Sequence, residues 1–525
     1  MLCDTDVTVS AQGVGLLATP ALRTEVLVVG AGTVGAILAL ELAHHNVTSI
    51  VVERAVSEPR HPGFDLLAGR SMELLRRLGL ATLVRQHGAG PDEPTGLQWS
   101  QGLDDPPILT SVGCTVQAEG RQRVSGARFA KHLRDAARRH PLIDLREGWT
   151  FAGLRVESDC AVAELVAAGT GDRHFVEARH VAGCDGAHST VRRCLEVPME
   201  RLSTPAQHCS VHFRSEDLTR RFARRGLSTV IVGGGALVSR GDDDTWIGHL
   251  RLGPEESITT DPVAGLRAAL AVRLDPEEVL GVTQWEDSLA VAATYQRGPA
   301  YLVGEAAHRF HPVTESADIS IGDAVDLGWK LAAAINGWGG PGLLASYEGE
   351  RRQRALIDRE MLARSLETRR RFSRLAKAGA TRELLAEVLR QEAHRTGDAG
   401  PAGERIASPV IWADDHPQWS LPDEVPPTVT PGALVPAGAQ LLDRLGPELT
   451  LVDLTDDDAG RPLVAAARKR GIPVAHVVTA DPAVRTHWDH PLVLVRPDQH
   501  VAWRAKSAPD DWERVLDLVT GCKTT

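Results

Sequence analysis

Several things are missing from this chain, and each absence narrows its function. No uncharged apolar stretch reaches the ~18–20 residues that a membrane-spanning helix needs. Residues 1–24 lack the basic start and apolar run of a signal peptide. The seven cysteines (Cys3, Cys114, Cys160, Cys184, Cys194, Cys209, Cys522) form no CxxC pair. Zinc and dithiol chemistry are therefore not expected, no metal is assigned, and a reduced cytoplasmic setting fits. Basic blocks are scarce too. With 58 Lys and Arg against 69 Asp and Glu, the net charge is −11, which argues against nucleic acid or an anionic membrane as partner.

What is present is core-forming sequence. The chain has 525 residues, 43% of them hydrophobic, enough for more than one domain. After the leader at 1–24, Val26-Leu27-Val28-Val29 reads as a buried strand. A tight glycine turn, a helix over Thr33–His44 and a second strand over Ser49–Glu53 follow, completing one βαβ unit of a doubly wound sheet. A helix is expected over 127–139 and further strands over 140–185. Residues 196–300 alternate short strands with turns, as an inserted antiparallel sheet would, with Gly233-Gly234-Gly235 as a hairpin turn. His208 and His212 lie in strand-like sequence, where their spacing gives no compact metal pair.

Tyr301–Gly304 opens another buried strand, and a helix is expected from about Ile321 to Ile335. Trp329 in that helix and Trp338 just beyond it read as core. Long charged helices occupy 346–395. Residues 397–435, rich in Gly and Pro, read as a linker. The last 90 residues, 436–525, run βαβ-ββα in a thioredoxin-like order, with a hairpin around Pro497-Asp498. The divisions are thus 25–195 for the first part of a nucleotide-binding domain, 196–300 for an inserted substrate sheet, 301–396 for the second part with its long helices, then linker and C-terminal domain.

Three motifs carry chemistry. Gly30-Ala31-Gly32-Thr33-Val34-Gly35 stands between strand and helix, where glycines let backbone N–H groups approach a pyrophosphate. Glu53 ends the next strand, where a carboxylate reaches a ribose hydroxyl. Gly183-Cys184-Asp185-Gly186 begins the second motif. The third runs from Tyr301 through Gly304-Glu305-Ala306-Ala307-His308 to Gly322-Asp323, delivering an acid to a strand end, where open α/β sheets place ligands.

In that order the motifs resemble the class A FAD-dependent monooxygenases, the para-hydroxybenzoate hydroxylase fold, over residues 24–395. Leu494 to Arg504 resembles the thioredoxin-like C-terminal domain of the polyketide and phenol hydroxylases. The resemblance implies FAD held by Gly30, Gly32, Thr33, Val34, Gly35, Glu53, Arg54, Arg70, Arg128, Asp185, Gly304, Glu305, Ser320 and Ile321. Such enzymes reduce FAD with NAD(P)H and use O2 to hydroxylate aromatic rings. The C-terminal domain, without redox cysteines, is expected to be structural.

Four departures cluster at the flavin ring. The family's P-x-GG-x-G-x-N loop is replaced by Pro312-Val313-Thr314-Glu315-Ser316-Ala317-Asp318-Ile319-Ser320, without glycine. Gly63-Phe64 stands where Arg-Ala is usual, Gly126 where a glutamine is usual, and Glu305 where an aspartate is usual. The adenosine end keeps its pattern. Two readings follow. One is a non-oxidative cyclase, similar to the redox-silent offshoot of this fold that forms dialkyldecalins by intramolecular [4+2] cycloaddition of a polyene polyketide, with FAD structural. Its candidate catalytic groups are His311, Thr314, Glu315 and Asp318. The other is an NAD(P)H- and O2-dependent hydroxylase of a polyketide or aromatic substrate. In both, the partner is a small hydrophobic molecule.

Overall fold

The computed structural model describes residues 22–56, 66–88, 96–111, 119–202, 206–223, 227–240, 244–252, 261–270, 274–286, 288–311, 316–396, 405–412, 429–436 and 438–523. Strand β1 (Leu22–Val29) leads through the glycine turn into helix α1 (Thr33–His44), which returns to strand β2 (Ser49–Glu53). Helix α2 (Gly69–Arg77) and helix α3 (Gly126–Arg139) follow, then strands β3 (Ile143–Glu147), β4 (Arg173–Gly183) and β5 (Ala300–Leu302). Five of these strands lie parallel in the order β5-β4-β1-β2-β3. Val26 to Val29 are at most 3% exposed, as parallel strands covered on both faces must be. Their carboxyl ends converge at Gly30, Glu53, Gly183 and Val303, so the cofactor motifs share one edge of the sheet.

The inserted sheet has seven strands in the order 278–286, 207–214, 245–251, 235–239, 227–232, 96–99 and 109–111. It is antiparallel apart from the pairing of Leu227–Val232 with Gly96–Trp99. Two of its strands come from residues 96–111, so the sheet draws on sequence before the expected 196–300 insertion. Gly233 and Gly234 form the hairpin turn between paired Val232 and Gly235.

Helices α4 (Ser316–Ile335) and α5 (Pro341–Lys377) complete the first domain. The α4 helix begins five residues before the expected start at Ile321. Asp318 and Ser320 therefore lie inside its first turns.

The C-terminal sheet has the order 474–478, 449–453, 492–495, 501–505, with only the first pair parallel. This is the arrangement the βαβ-ββα reading implies. It docks on α4: Trp329 and Trp338 are buried, stacked at 6.3 Å between ring centroids, and packed in one core with Trp503. The segment read as a linker is partly structured. Trp412 N–H bonds the carbonyl of Ala502 at 2.9 Å, and Ile406 N–H that of Gly432 at 2.8 Å. Among the described residues no helix is long and apolar enough to cross a membrane.

Candidate flavin site

The first end of the site is built from backbone. Gly30 turns with φ +99°, and its N–H is held by the Val52 carbonyl at 2.8 Å. A Cβ on Gly35 would lie 1.9 Å from the Gly30 carbonyl oxygen, so helix and turn touch there. Gly32 is different. A Cβ on it would meet nothing within 4 Å. No side chain caps α1 at Gly32, and its first turn holds no acid. The first N–H groups of Thr33 and Val34 thus stand at the positive end of a helix dipole beside open space, which fits a pyrophosphate.

Glu53 anchors this turn. Its Oε2 accepts the Ala31 N–H at 2.8 Å and its Oε1 the Ala55 N–H at 2.9 Å. Arg134 braces the same place: its Nε donates to the Ala31 carbonyl at 3.3 Å, and its Nη2 lies 3.9 Å from Glu53. The sequence reading missed Arg134. The available signal was a charged residue within the buried stripe Phe129, Ala130, Leu133, Arg134 and Ala137 of α3.

Asp185 closes the cradle. Its Oδ2 accepts N–H groups from Thr190 at 2.6 Å and Val191 at 3.1 Å, while its Oδ1 is buried without a partner. A buried orphan acceptor beside the glycine turn suits a hydroxyl-bearing ligand. Arg54 and Arg128 are exposed. Arg192 and Arg193 donate to the carbonyls of Ala306, Ala187 and His188, so they brace the second motif.

At the second end, segments far apart in sequence meet. A Cβ on Gly304 would approach Val34 at 3.1 Å and Ser320 at 3.2 Å. Asp323 is the hub. Its Oδ2 accepts the Gly304 N–H at 3.1 Å and pairs with His308 Nε2 at 3.0 Å, and its Oδ1 accepts from Arg351 Nε at 2.7 Å. Burial alone would raise the Asp323 pKa, but Arg351 and His308 hold it below the usual carboxylate range. Ser320 and Ile321 are buried, and Glu305 is half-buried on the short turn after Val303. Gly30, Glu53, Asp185, Gly304 and Ser320 therefore lie about one sheet edge, and Arg70 does not join them. Arg70 points away. Its Nη1 donates to Gln499 Oε1 and its Nη2 to the Asp498 carbonyl, both at 2.5 Å, because α2 abuts the C-terminal domain.

Of the groups assigned to catalysis, Asp318 is the one whose side chain is described. Its Oδ1 accepts the Ala68 N–H at 3.0 Å and the Ser71 hydroxyl at 2.5 Å, fastening the first turn of α4 to the start of α2. The His311 backbone pairs with Ser288. Thr314 and Glu315, like Gly63 and Phe64, fall outside the described residues.

The inserted sheet carries a polar and aromatic face that the sequence reading did not single out. Ser210 Oγ lies 2.8 Å from His249 Nδ1 and accepts from Trp285 Nε1 at 2.7 Å. His208 stacks on Trp285 at 4.3 Å.

Among the described residues, one trio brings possible metal donors within 4.8 Å of one another: Asp453, Asp458 and His476. Asp453 already accepts N–H groups from Thr455 and Gly460, closing its own loop, and we assign it no metal.

The family model described as FAD binding domain matches residues 23–358. That settles the family. The chain belongs to the FAD binding domain family of flavoproteins. A second model, aromatic-ring hydroxylase, C-terminal, matches residues 430–521. The FAD-dependent monooxygenase apdD of Emericella nidulans is 29% identical, the match covering 94% of this chain and 90% of that protein. Rifampicin monooxygenase of Streptomyces venezuelae is 27% identical, with 94% and 97% covered. Among solved structures, the rebeccamycin biosynthetic enzyme RebC with reduced flavin superposes with TM-score 0.84 at 26% identity, covering 96% of this chain and 100% of that one. FAD is thus the cofactor of this flavoprotein, and its fold is the mixed α/β fold of these enzymes.

Proposed function

We propose that this flavoprotein is a non-oxidative cyclase that closes a decalin ring in a polyene polyketide by intramolecular [4+2] cycloaddition, with FAD in a structural role. The observation that carries the reading is the charge at the ring end. In the resembled fold the N-terminus of α4 faces the electron-rich edge of the flavin, where a helix dipole favours added negative charge. Here the first turn of that helix contains Asp318, whose carboxylate opposes the dipole. No glycine occurs from His311 to Ile321 to let backbone lie against the ring. Bound FAD supplies redox chemistry in the related hydroxylases; the cyclase reading asks of it only shape and polarity.

A cycloaddition needs no proton shuttle. It needs a cavity that folds the polyene into a near-attack conformer and donors that polarise the dienophile carbonyl. The Trp285, Ser210 and His249 face of the inserted sheet supplies an aromatic wall and a hydroxyl-imidazole pair for such a cavity. Asp318 fastens the first turn of α4 to the start of α2.

The second reading is an NAD(P)H- and O2-dependent hydroxylase of a polyketide or aromatic substrate, favoured by the monooxygenase names of relatives matched over nearly their full lengths. One experiment separates the two. The yellow holoprotein is mixed with NADPH or NADH and a linear polyene, and flavin absorbance is followed near about 450 nm. Conversion to an isomer of equal mass without reductant supports the cyclase. Substrate-dependent bleaching with O2 uptake overturns it in favour of the hydroxylase.

A further inference from the structure

We propose that the turn at residues 496–500 of the C-terminal domain is a positioning element for the ring end of the flavin site, acting on α2 through Arg70 and on α4 through its own Arg496. This rests on the reading that the first turn of α4 faces the flavin ring. Two arms leave the turn. In the first, Arg496 is fully buried and meets Asp326 of α4 at 2.9 Å, Glu350 of α5 at 2.8 Å and Asp498 of its own turn at 2.6 Å. Lys330 joins Asp326 at 2.9 Å and Glu350 at 2.8 Å. Asp326 lies eight residues beyond Asp318, about 12 Å along the helix.

In the second arm, Arg70 donates to Gln499 Oε1 and to the Asp498 carbonyl. Arg70 stands beside Ser71 and two residues from Ala68, and both of these bond Asp318 Oδ1. The path from Gln499 to Asp318 is therefore continuous. The turn itself is tight: Gln499 has φ +65°, its N–H bonds the Arg496 carbonyl at 2.9 Å, and Arg496 N–H bonds the His500 carbonyl at 2.8 Å.

Adhesion alone does not call for this arrangement. The domains already share an apolar core of Trp329, Trp338 and Trp503. Burying charged pairs in such an interface adds little net stability over apolar packing. What charged groups add is geometry, since the guanidinium fork accepts partners in few orientations. Here that geometry fixes α2 against α4 at Asp318.

The test uses the FAD-loaded full chain. Arg70→Met, Arg70→Lys, Asp318→Asn and the double variant Arg70→Met/Asp318→Asn are compared by flavin absorption spectrum, midpoint potential, FAD affinity and thermal midpoint. Asp318→Asn is expected to move the spectrum and potential. Arg70→Met is expected to move them as well, shifting the oxidised-to-reduced balance by about 2- to 30-fold while FAD affinity stays within about threefold. Arg70→Lys recovers part of the shift. In the Asp318→Asn background, Arg70→Met adds nothing further, because coupled residues are not additive.

If Asp318→Asn moves the flavin but Arg70→Met does not, or if the two add, the positioning role is overturned while the ring-end reading stands. An unmoved flavin in Asp318→Asn overturns the ring-end reading, and the positioning role with it. Should Arg70→Met fail to fold, Gln499→Leu gives the same readout, since it removes one acceptor and leaves the Asp498 carbonyl in place.

Discussion

Gly32 and Gly35 lie three residues apart in one motif, yet their substitution should fail in different ways. Gly32 has φ −67° and ψ −172°, a conformation any residue adopts, and a Cβ there meets nothing within 4 Å. Gly32→Val should therefore fold like the parent. Its side chain would project into the space in front of α1, where the pyrophosphate approaches the N–H groups of Thr33 and Val34. Losing two charge-assisted hydrogen bonds at ~1.5–3 kcal/mol each weakens FAD binding by about 3–6 kcal/mol, roughly a hundredfold to ten-thousandfold in Kd. Gly35→Ala places a methyl 1.9 Å from the Gly30 carbonyl, so the helix must move off the turn, at a cost of about 1–3 kcal/mol or more in stability. The assay is purification of both variants, followed by flavin absorbance per protein and thermal unfolding of the FAD-free forms. The expected result is colourless, normally stable Gly32→Val beside destabilised Gly35→Ala. A Gly32→Val protein carrying stoichiometric FAD would refute the placement of the pyrophosphate.

Two further outcomes concern buried charges. His45 is held between Glu41 at 3.0 Å and Glu448 of the C-terminal domain at 2.9 Å, with Arg77 also on Glu41. Burial opposes its charge, but these carboxylates raise its pKa from 6.5 to about 9. A raised folded-state value means that the stability, on the order of 3 kcal/mol, is complete below about pH 6.5 and lost as pH rises through about 9. Thermal midpoints of the parent should fall across that window while those of His45→Gln stay flatter; parallel profiles would remove His45 from the account. Asp323→Ala leaves Arg351 buried without its carboxylate and should cost about 3–5 kcal/mol. Denaturant unfolding followed by tryptophan fluorescence checks this, and a loss below about 1 kcal/mol would show the hub to be dispensable.

The contrast between what could and could not be read from the sequence follows contact range. Thr33–His44 and Ser49–Glu53 appear at the expected limits because a glycine turn, a continuous apolar strand and a helical stripe are written in adjacent residues. The hairpin at 492–505 and the burial of Trp329 and Trp338 were legible for the same reason. Arg70 was assigned to the cofactor on family pattern, but its partners lie more than 400 positions away, at Asp498 and Gln499. Asp318 read as a catalytic acid of the altered loop. Its role depends on Ala68 and Ser71, which no local pattern connects to it. The Ser210, His249 and Trp285 group was hidden because strand register, not spacing, brings its members together.

The same distinction bears on how binding and redox function can separate in this fold. On this reading the adenosine end rests on main-chain N–H groups, the helix dipole of α1 and the acid at the next strand end, braced by Arg134 and Asp185. On the proposed reading the ring end is assembled from α2, the turn after β5, the start of α4 and the anchors behind them in the C-terminal domain, and a change at the start of α4 would alter what surrounds the ring while the backbone turn at Gly30 stays as it is. An acid in the first turn of α4 makes added electrons on a neighbouring ring less favourable, whereas the adenosine grip is indifferent to the redox state. Selection for tight FAD binding is therefore compatible with loss of its reduction, and the flavin potential is the quantity that decides between the two readings of this chain.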